Sequence, residues 1–200
     1  MIAIIDDGVG NLFSLRSSLT HLGLEAVVTA DAQTIRKADR LILPGVGAFG
    51  DAMDKLSATG LVPVIREQAA QKPLLGICLG MQLLFDWSSE VRKTDGLGFV
   101  SGQVELIETD LKLPHIGWNS LQFPNPSPLF AGLDEGCYVY FVHSFCGSAA
   151  RQENVIATTD YGGEVLAAVQ SGNVFGTQFH PEKSGDVGMQ ILKNFGGLTK

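Results

Sequence analysis

The sequence predicts an α/β fold in which a mainly parallel sheet carries helices on both faces and gains an antiparallel extension in its second half. Three observations predict it. Short, continuous apolar runs alternate with helix-patterned stretches up to Cys78, the signature of strands joined by helical crossovers. Those runs are apolar throughout rather than alternating, as strands covered on both faces are. From Phe99 onward the apolar runs are separated by short turns instead, which favours antiparallel pairing.

In order, Ile2 to Asp6 is the first strand, followed by Asp7-Gly8-Val9-Gly10-Asn11. Leu12, Leu15, Leu19 and Leu22 recur at helical spacing, and Gly23 ends that helix. Glu25 to Thr29 is the second strand; after a polar stretch, Leu41 to Leu43 is the third, stopped by Pro44. A helix is expected from about Asp51, and another from Pro63 to Gln71, where proline suits the first helical turn. Pro73 then admits the strand that ends in Cys78. The later strands are Gly102 to Ile107, Ser120 to Phe123, Tyr138 to Val142, Val155 to Thr159, Val165 to Val169 and Val174 to Phe179. Gln170-Ser171-Gly172-Asn173 reads as a hairpin between the last two, and Pro124 to Pro128 as a surface loop. A final helix opens at Ser184 to Asp186, turns Val187, Ile191, Leu192 and Phe195 inward, and has Gly196 behind it.

Two hundred residues with 45% hydrophobic and 18% charged content suit one domain, 1–200, around one core. Twenty-one acidic against fourteen basic residues give a net charge of −7, which argues against nucleic acid and anionic membranes as partners. Three cysteines without framework spacing point to a reducing compartment. The amino terminus lacks a basic segment, and no apolar run nears the ~20 residues of a membrane span. A cytoplasmic protein is expected.

The first chemical feature is Gly76-Ile77-Cys78-Leu79-Gly80, an apolar strand running into a cysteine bracketed by glycines, with helix-forming residues directly after it. A nucleophile at the tip of such a strand-to-helix turn needs neighbours without side chains at both i−2 and i+2. It also stands at a helix N-terminus, where partial positive charge favours thiolate. The second feature is Gln178-Phe179-His180-Pro181-Glu182-Lys183. In extended geometry His180 and Glu182 point to the same side. An imidazole oriented by a carboxylate can pair with a thiol. Together they predict acyl transfer: Cys78 attacks a carbonyl, the Leu79 N–H steadies the oxyanion, His180 protonates the leaving group, and water cleaves the thioester.

Taken singly, Cys78 or His180 reads as an ordinary core residue; the glycines and the carboxylate favour the catalytic reading. Cys137 and Cys146 lack such a turn and read as structural. No metal site is expected, since no cysteine pair has ligand spacing and His180 and Glu182 do not match a helical motif. A rival reading takes Gly8-Val9-Gly10 with Asp31 as part of a dinucleotide fingerprint. Phe13 stands where the third glycine belongs, and its side chain is expected to hold the helix off the sheet, so plain turn chemistry is preferred. No cofactor is expected.

Gly76 to Gln82 with His180-Pro181-Glu182 closely resembles the nucleophile turn and histidine–glutamate pair of class I glutamine amidotransferases. Within that family, Pro44 to Asp51, Pro114 to Asn119 and His180 to Ser184 look like the glutaminase subunits of imidazole glycerol phosphate synthases, a likeness that runs from Asp6 to Phe195. The resemblance implies a class I glutamine amidotransferase-like, flavodoxin-like sheet and hydrolysis of L-glutamine by a Cys78, His180, Glu182 triad. It implies a glutamine pocket of Gly45, Val46, Gly47, Gln82, His143, Ser144 and Phe145, with the Val46 peptide reorienting to supply a second oxyanion donor. It also implies a (βα)₈-barrel cyclase partner in histidine biosynthesis, joined as a heterodimer and met at Asn11, Trp118, Asn119 and Lys183. Without the family, Trp118 reads equally as core. Two positions depart from the usual pattern. Asp7 replaces a tyrosine and puts a charge at the expected interface rim; Phe145 replaces a frequent tyrosine and lacks only its hydroxyl.

No P-loop or acceptor-phosphate motif remains to consume ammonia. The synthase is therefore expected to be another chain, docked so that ammonia is sealed from water. The alternatives are an amidotransferase serving another synthase, a stand-alone cysteine hydrolase or isomerase of similar fold, and a non-catalytic interaction subunit.

Overall fold

A computed structural model describes residues 1–6 and 12–199. The first half runs β1 (Ile2–Ile5), α1 (Leu12–His21), β2 (Ala26–Thr29), α2 (Ala32–Lys37), β3 (Arg40–Leu43), α3 (Phe49–Ala58), α4 (Val62–Ala69) and β4 (Leu74–Ile77). One short turn of helix, α5 (Leu79–Gln82), follows Cys78. The second half adds β5 (Phe85–Ser88), β6 (Thr94–Asp95), β7 (Val100–Leu106), β8 (His115–Ser120), β9 (Tyr138–His143), β10 (Phe145–Ala149), β11 (Val155–Asp160), β12 (Glu164–Ser171), β13 (Val174–Thr177) and α6 (Gly185–Gly197).

Seven strands form the central sheet in the order β11-β12-β13-β4-β3-β1-β2. The pairs from β13 through β2 are parallel, and β12 and β11 extend the sheet antiparallel. The period-two pleat divides the core between two faces. Ala3, Ile5, Leu41, Leu43 and Leu74 pack with Ile35, Leu56 and Ile65 of α2, α3 and α4. Ile2, Ile4, Ile42, Leu75 and Ile77 pack with Leu15 and Leu19 of α1 and Ile191, Leu192 and Phe195 of α6. No described helix is long and apolar enough to cross a membrane.

The second half departs from a single extended sheet. Only β11, β12 and β13 join the main sheet; β10, β7, β5 and β6 form a second sheet, and β8 with β9 a two-stranded ribbon. Val100, Val104 and Phe85 anchor the second sheet to one face of the core, and Val139 and Phe141 anchor the ribbon to the other. Pairing partners this far apart in sequence leave no local signal. The strand expected at Ser120 to Phe123 lies earlier, at β8, and Gln122 makes only an isolated bridge to Thr158. The hairpin is present: Ser171 pairs with Val174, and Gly172 takes the first loop position at φ 56°.

Four helices differ from expectation, α4 by ending at Ala69 rather than Gln71. The polar stretch after β2 contains α2, capped by the Asp31 carboxylate on Thr34 N–H at 2.8 Å. Helix α3 starts at Phe49 rather than near Asp51, because Glu90 accepts the Phe49 N–H at 2.7 Å and supplies a cap from 41 residues away. Helix α6 runs through Gly196, where a Cβ would stand 2.5 Å from the Leu24 side chain; this glycine serves close packing rather than termination.

Candidate active site

The cysteine turn is built by excluded volume. A Cβ on Gly76 would stand 2.5 Å from the Gly80 carbonyl oxygen, and one on Gly80 would overlap the Leu43 carbonyl. Neither glycine has a positive φ, so what each supplies is room, not conformational freedom. The strain falls on Cys78 itself, at φ 54° and ψ −113°. A non-glycine residue in that region is uncommon and persists only where its surroundings hold it. The Cys78 N–H donates to Thr177 O at 2.7 Å, and its carbonyl accepts from Met81 and Gln82. Leu79 opens α5, so its N–H is among those a helix start leaves without an intrahelical acceptor.

His180 follows β13, the parallel neighbour of β4, and is buried. Its Nδ1 lies 2.8 Å from Glu182 Oε1, both side chains being 5% exposed. Ser184 fixes the segment: its hydroxyl donates to His180 O at 2.6 Å and accepts the Tyr140 N–H at 3.0 Å, while His180 N–H donates to Tyr140 O. Burial by itself lowers the basicity of His180. The Cys78 sulfur and the Glu182 carboxylate outweigh that and raise its pKa to about 9. With Nδ1 committed to Glu182, the interaction with the sulfur falls to Nε2, which has no hydrogen-bond partner of normal geometry among the described residues.

Cys78 and His180 open into a cavity of about 340 Å³ that is also lined by Val46, Gly47, Leu79, Gln82, His143, Ser144 and Phe145. Gly45 and Glu182 line an adjoining crevice with Val46 and His180. Gly45 packs against the turn, its Cβ position 3.0 Å from Gly80 N, and Gly47 has φ 102°, which glycine adopts without strain. Gln82 Nε2 donates to Phe145 O at 2.9 Å, a main-chain contact that the missing tyrosine hydroxyl does not affect. His143 Nδ1 donates to the same carbonyl at 2.8 Å. Burial pushes the His143 pKa down to about 4, so this ring is neutral near pH 7.

Of the expected interface residues, Trp118 is 55% exposed and so is not core, and Lys183 is exposed. Asn119 turns inward: its amide donates to Asp160 O at 2.8 Å and lies 3.3 Å from His115 Nε2. Asn11, Asp7 and the Gly8-Val9-Gly10 stretch fall outside the described residues. Asp31 is occupied as a helix cap, and Phe13 is 82% exposed, so it faces solvent and does not wedge α1 off the sheet as expected. Among the described residues no group of three or more His, Cys, Asp or Glu is placed to hold a metal ion.

Sequence reading missed three residues here. Glu90 is the one carboxylate among the described residues that line the cavity, and it arrives on a loop with no local pattern. Buried Gln178 sits two residues before His180, a period-two signal that was available. His115, at 3.1 Å from His143, lies inside the Pro114 to Asn119 stretch.

The sequence model of the family described as glutamine amidotransferase class-I matches residues 3–197. The chain belongs to that family. Among its relatives, the imidazole glycerol phosphate synthase subunit HisH of Bacillus cereus is 50% identical over 201 residues, covering 100% of this chain and 96% of that protein. The subunit of the same name from Moorella thermoacetica is 50% identical over 200 residues, covering 100% and 95%. Two solved structures share the amidotransferase fold: a glutamine amidotransferase (TM-score 0.77, 19% identity, 98% of this chain and 99% of that one) and PurLQS of Thermotoga maritima (TM-score 0.76, 21% identity, 97% and 96%).

Proposed function

We propose that this amidotransferase is the glutaminase subunit of an imidazole glycerol phosphate synthase, hydrolysing L-glutamine and passing ammonia to a (βα)₈-barrel cyclase subunit in histidine biosynthesis. The observation that carries the chemistry is the His180–Glu182 pair at 2.8 Å beside a strained cysteine at the mouth of one cavity. The family membership and the full-length relatives support the choice of substrate and synthase.

In this reading glutamine enters with its α-ammonium toward Glu90 and its side chain toward Gln82. The Cys78 sulfur attacks the carboxamide carbon, and the oxygen's developing charge meets the N–H of Leu79 and, once its peptide turns inward, of Val46. Gly47 gives that loop the freedom to turn. The His180 imidazolium gives its proton to the departing nitrogen, and ammonia leaves a γ-glutamyl thioester. His180, now neutral, draws a proton from water as it attacks the thioester, and glutamate departs. Glu182 holds the ring in position throughout.

The docking surface in this reading is the outer face of the β8–β9 ribbon. Ile116 and Trp118, two apart, share that face with Tyr138 and are 57%, 55% and 57% exposed. Lys183 lies next to the catalytic pair. The test measures glutamate release by wild type and Cys78→Ala with and without the cyclase. Release that depends on Cys78 and rises with cyclase supports the reading; equal release by both proteins refutes the nucleophile. Loss of all glutamine-dependent cyclase product when external ammonia is enzymatically scavenged would refute channelling.

A further inference from the structure

We propose that Gln178 is a hydrogen-bond donor to the Cys78 sulfur, stabilising the thiolate and aiming it into the cavity beside His180. The inference rests on Cys78 being the nucleophile. Gln178 is fully buried at the end of β13. The parallel register pairs Gly176 with Gly76 and Thr177 with Ile77, so one further step sets Gln178 beside Cys78. Its Nε2 stands 3.8 Å from Sγ, within hydrogen-bonding range for sulfur.

Which end of the amide faces the sulfur follows from its neighbours. The Phe145 carbonyl can only accept, so the Gln82 atom 2.9 Å from it is the nitrogen. That nitrogen's other hydrogen goes to Gln178 at 3.0 Å, so the receiving atom there is Oε1. The Gln178 N–H is left for the sulfur. The far side of the chain fits the same direction: His143 Nδ1 donates to the Phe145 carbonyl, leaving its Nε2 to accept from His115 Nδ1. Both lone pairs of the Phe145 oxygen are thereby used, which fixes Gln82 and through it Gln178.

A neutral amide suits this role. It favours the thiolate by donation but has no proton to exchange, so it does not compete with His180 for the one that must reach the leaving nitrogen. Gln178 forms and breaks no covalent bond in the cycle. The titratable groups around the sulfur are His180 with Glu182 behind it, His143 from β9, and Glu90 on the cavity wall. None of these is substituted in the variants below, and Gln178→Glu adds one carboxylate beside the sulfur.

The test is the pH dependence of Cys78 alkylation by iodoacetamide, located by peptide mass spectrometry, in wild type, Gln178→Met and Gln178→Glu, with glutaminase kinetics on the same proteins. Gln178→Met is expected to raise the alkylation midpoint by about one pH unit, the lower range for a bond to a charged group. It should lower kcat about tenfold with KM within about twofold. Gln178→Glu keeps the shape and the acceptor for Gln82 but faces the sulfur with a carboxylate, and is expected to raise the midpoint further. If Gln178 only supports Gln82, Gln178→Met titrates like wild type and overturns the inference. A Gln178→Glu midpoint equal to wild type shows that this side chain does not face the sulfur and overturns it even where Gln178→Met fails to fold. Wild type that keeps glutaminase activity after Cys78 is alkylated overturns the nucleophile and this inference together. Activity lost on alkylation with unmoved midpoints overturns Gln178 alone.

Discussion

The two halves of the candidate active site are held by different physics. The Cys78 turn is shaped by close packing of backbone on backbone, with Gly76 and Gly80 against each other and against Leu43. The His180 segment is held by hydrogen bonds, through Glu182, Ser184 and Tyr140. Excluded volume tolerates no added atom, whereas a hydrogen-bonded segment yields in steps as its partners are removed. Mutations on the first side should therefore break the fold, and those on the second should grade the chemistry.

The largest effect is expected from Gly80→Ala. A Cβ there meets the Leu43 carbonyl, and forced overpacking costs about 3 kcal/mol or more. That corresponds to a fall of about 10 °C in melting temperature, and an unchanged thermal transition would show that the turn is not close-packed. Glu182→Gln keeps the shape but loses the charge. It should lower kcat about a hundredfold and move the alkaline limb of kcat/KM to lower pH, because the wild-type imidazolium titrates near 9 partly through that carboxylate. A limb that stays in place would remove Glu182 from the pair. Glu90→Gln should raise KM for glutamine about tenfold by weakening contact with the α-ammonium, with a much smaller change in kcat; the reverse split would move Glu90 out of the binding role. Ser184→Ala leaves the Tyr140 N–H and one acceptor site on His180 O unfilled. It should cost about 1 kcal/mol of stability, measured by denaturant unfolding, with a graded loss of activity.

The same contrast has a pH signature. His180 has its pKa raised to about 9 from an unfolded value near 6.5. Its pairing therefore stabilises the fold fully below pH 6.5, and the contribution is lost as pH rises through 9. The backbone-on-backbone packing of Gly76 and Gly80 involves no titrating group. His143, lowered to about 4, acts in the opposite direction: the unfolded ring binds a proton first, so stability declines as pH falls from 6.5 toward 4.

What was legible in the sequence follows this division. The His180–Glu182 pairing is present, but β13 ends at Thr177 and Pro181–Lys183 form a 3-10 turn, so the turn after His180, not the extended strand expected, brings the carboxylate to the ring. The β4 strand and the glycine bracket are local, with requirements that act within two residues, and appear in the sequence as they do in the fold. The parallel core was legible for the same reason, each apolar run being its own signal. Glu90 capping α3 from 41 residues away was not, nor was the division of later strands among three sheets, because pairing partners at that separation share no pattern. Gln178 lies between these cases. Its period-two relation to His180 was visible, but its meaning depends on a β4–β13 register that only the folded sheet supplies.

The central claim is that Cys78 carries the γ-glutamyl group. The most direct measurement incubates the amidotransferase, with and without the proposed cyclase partner, with a diazoketone analogue of glutamine and maps the adduct by mass. The account predicts one adduct per chain, on Cys78, formed in proportion to lost glutaminase activity and slowed by glutamine. An adduct on Cys137 or Cys146, or full activity with Cys78 modified, would contradict it.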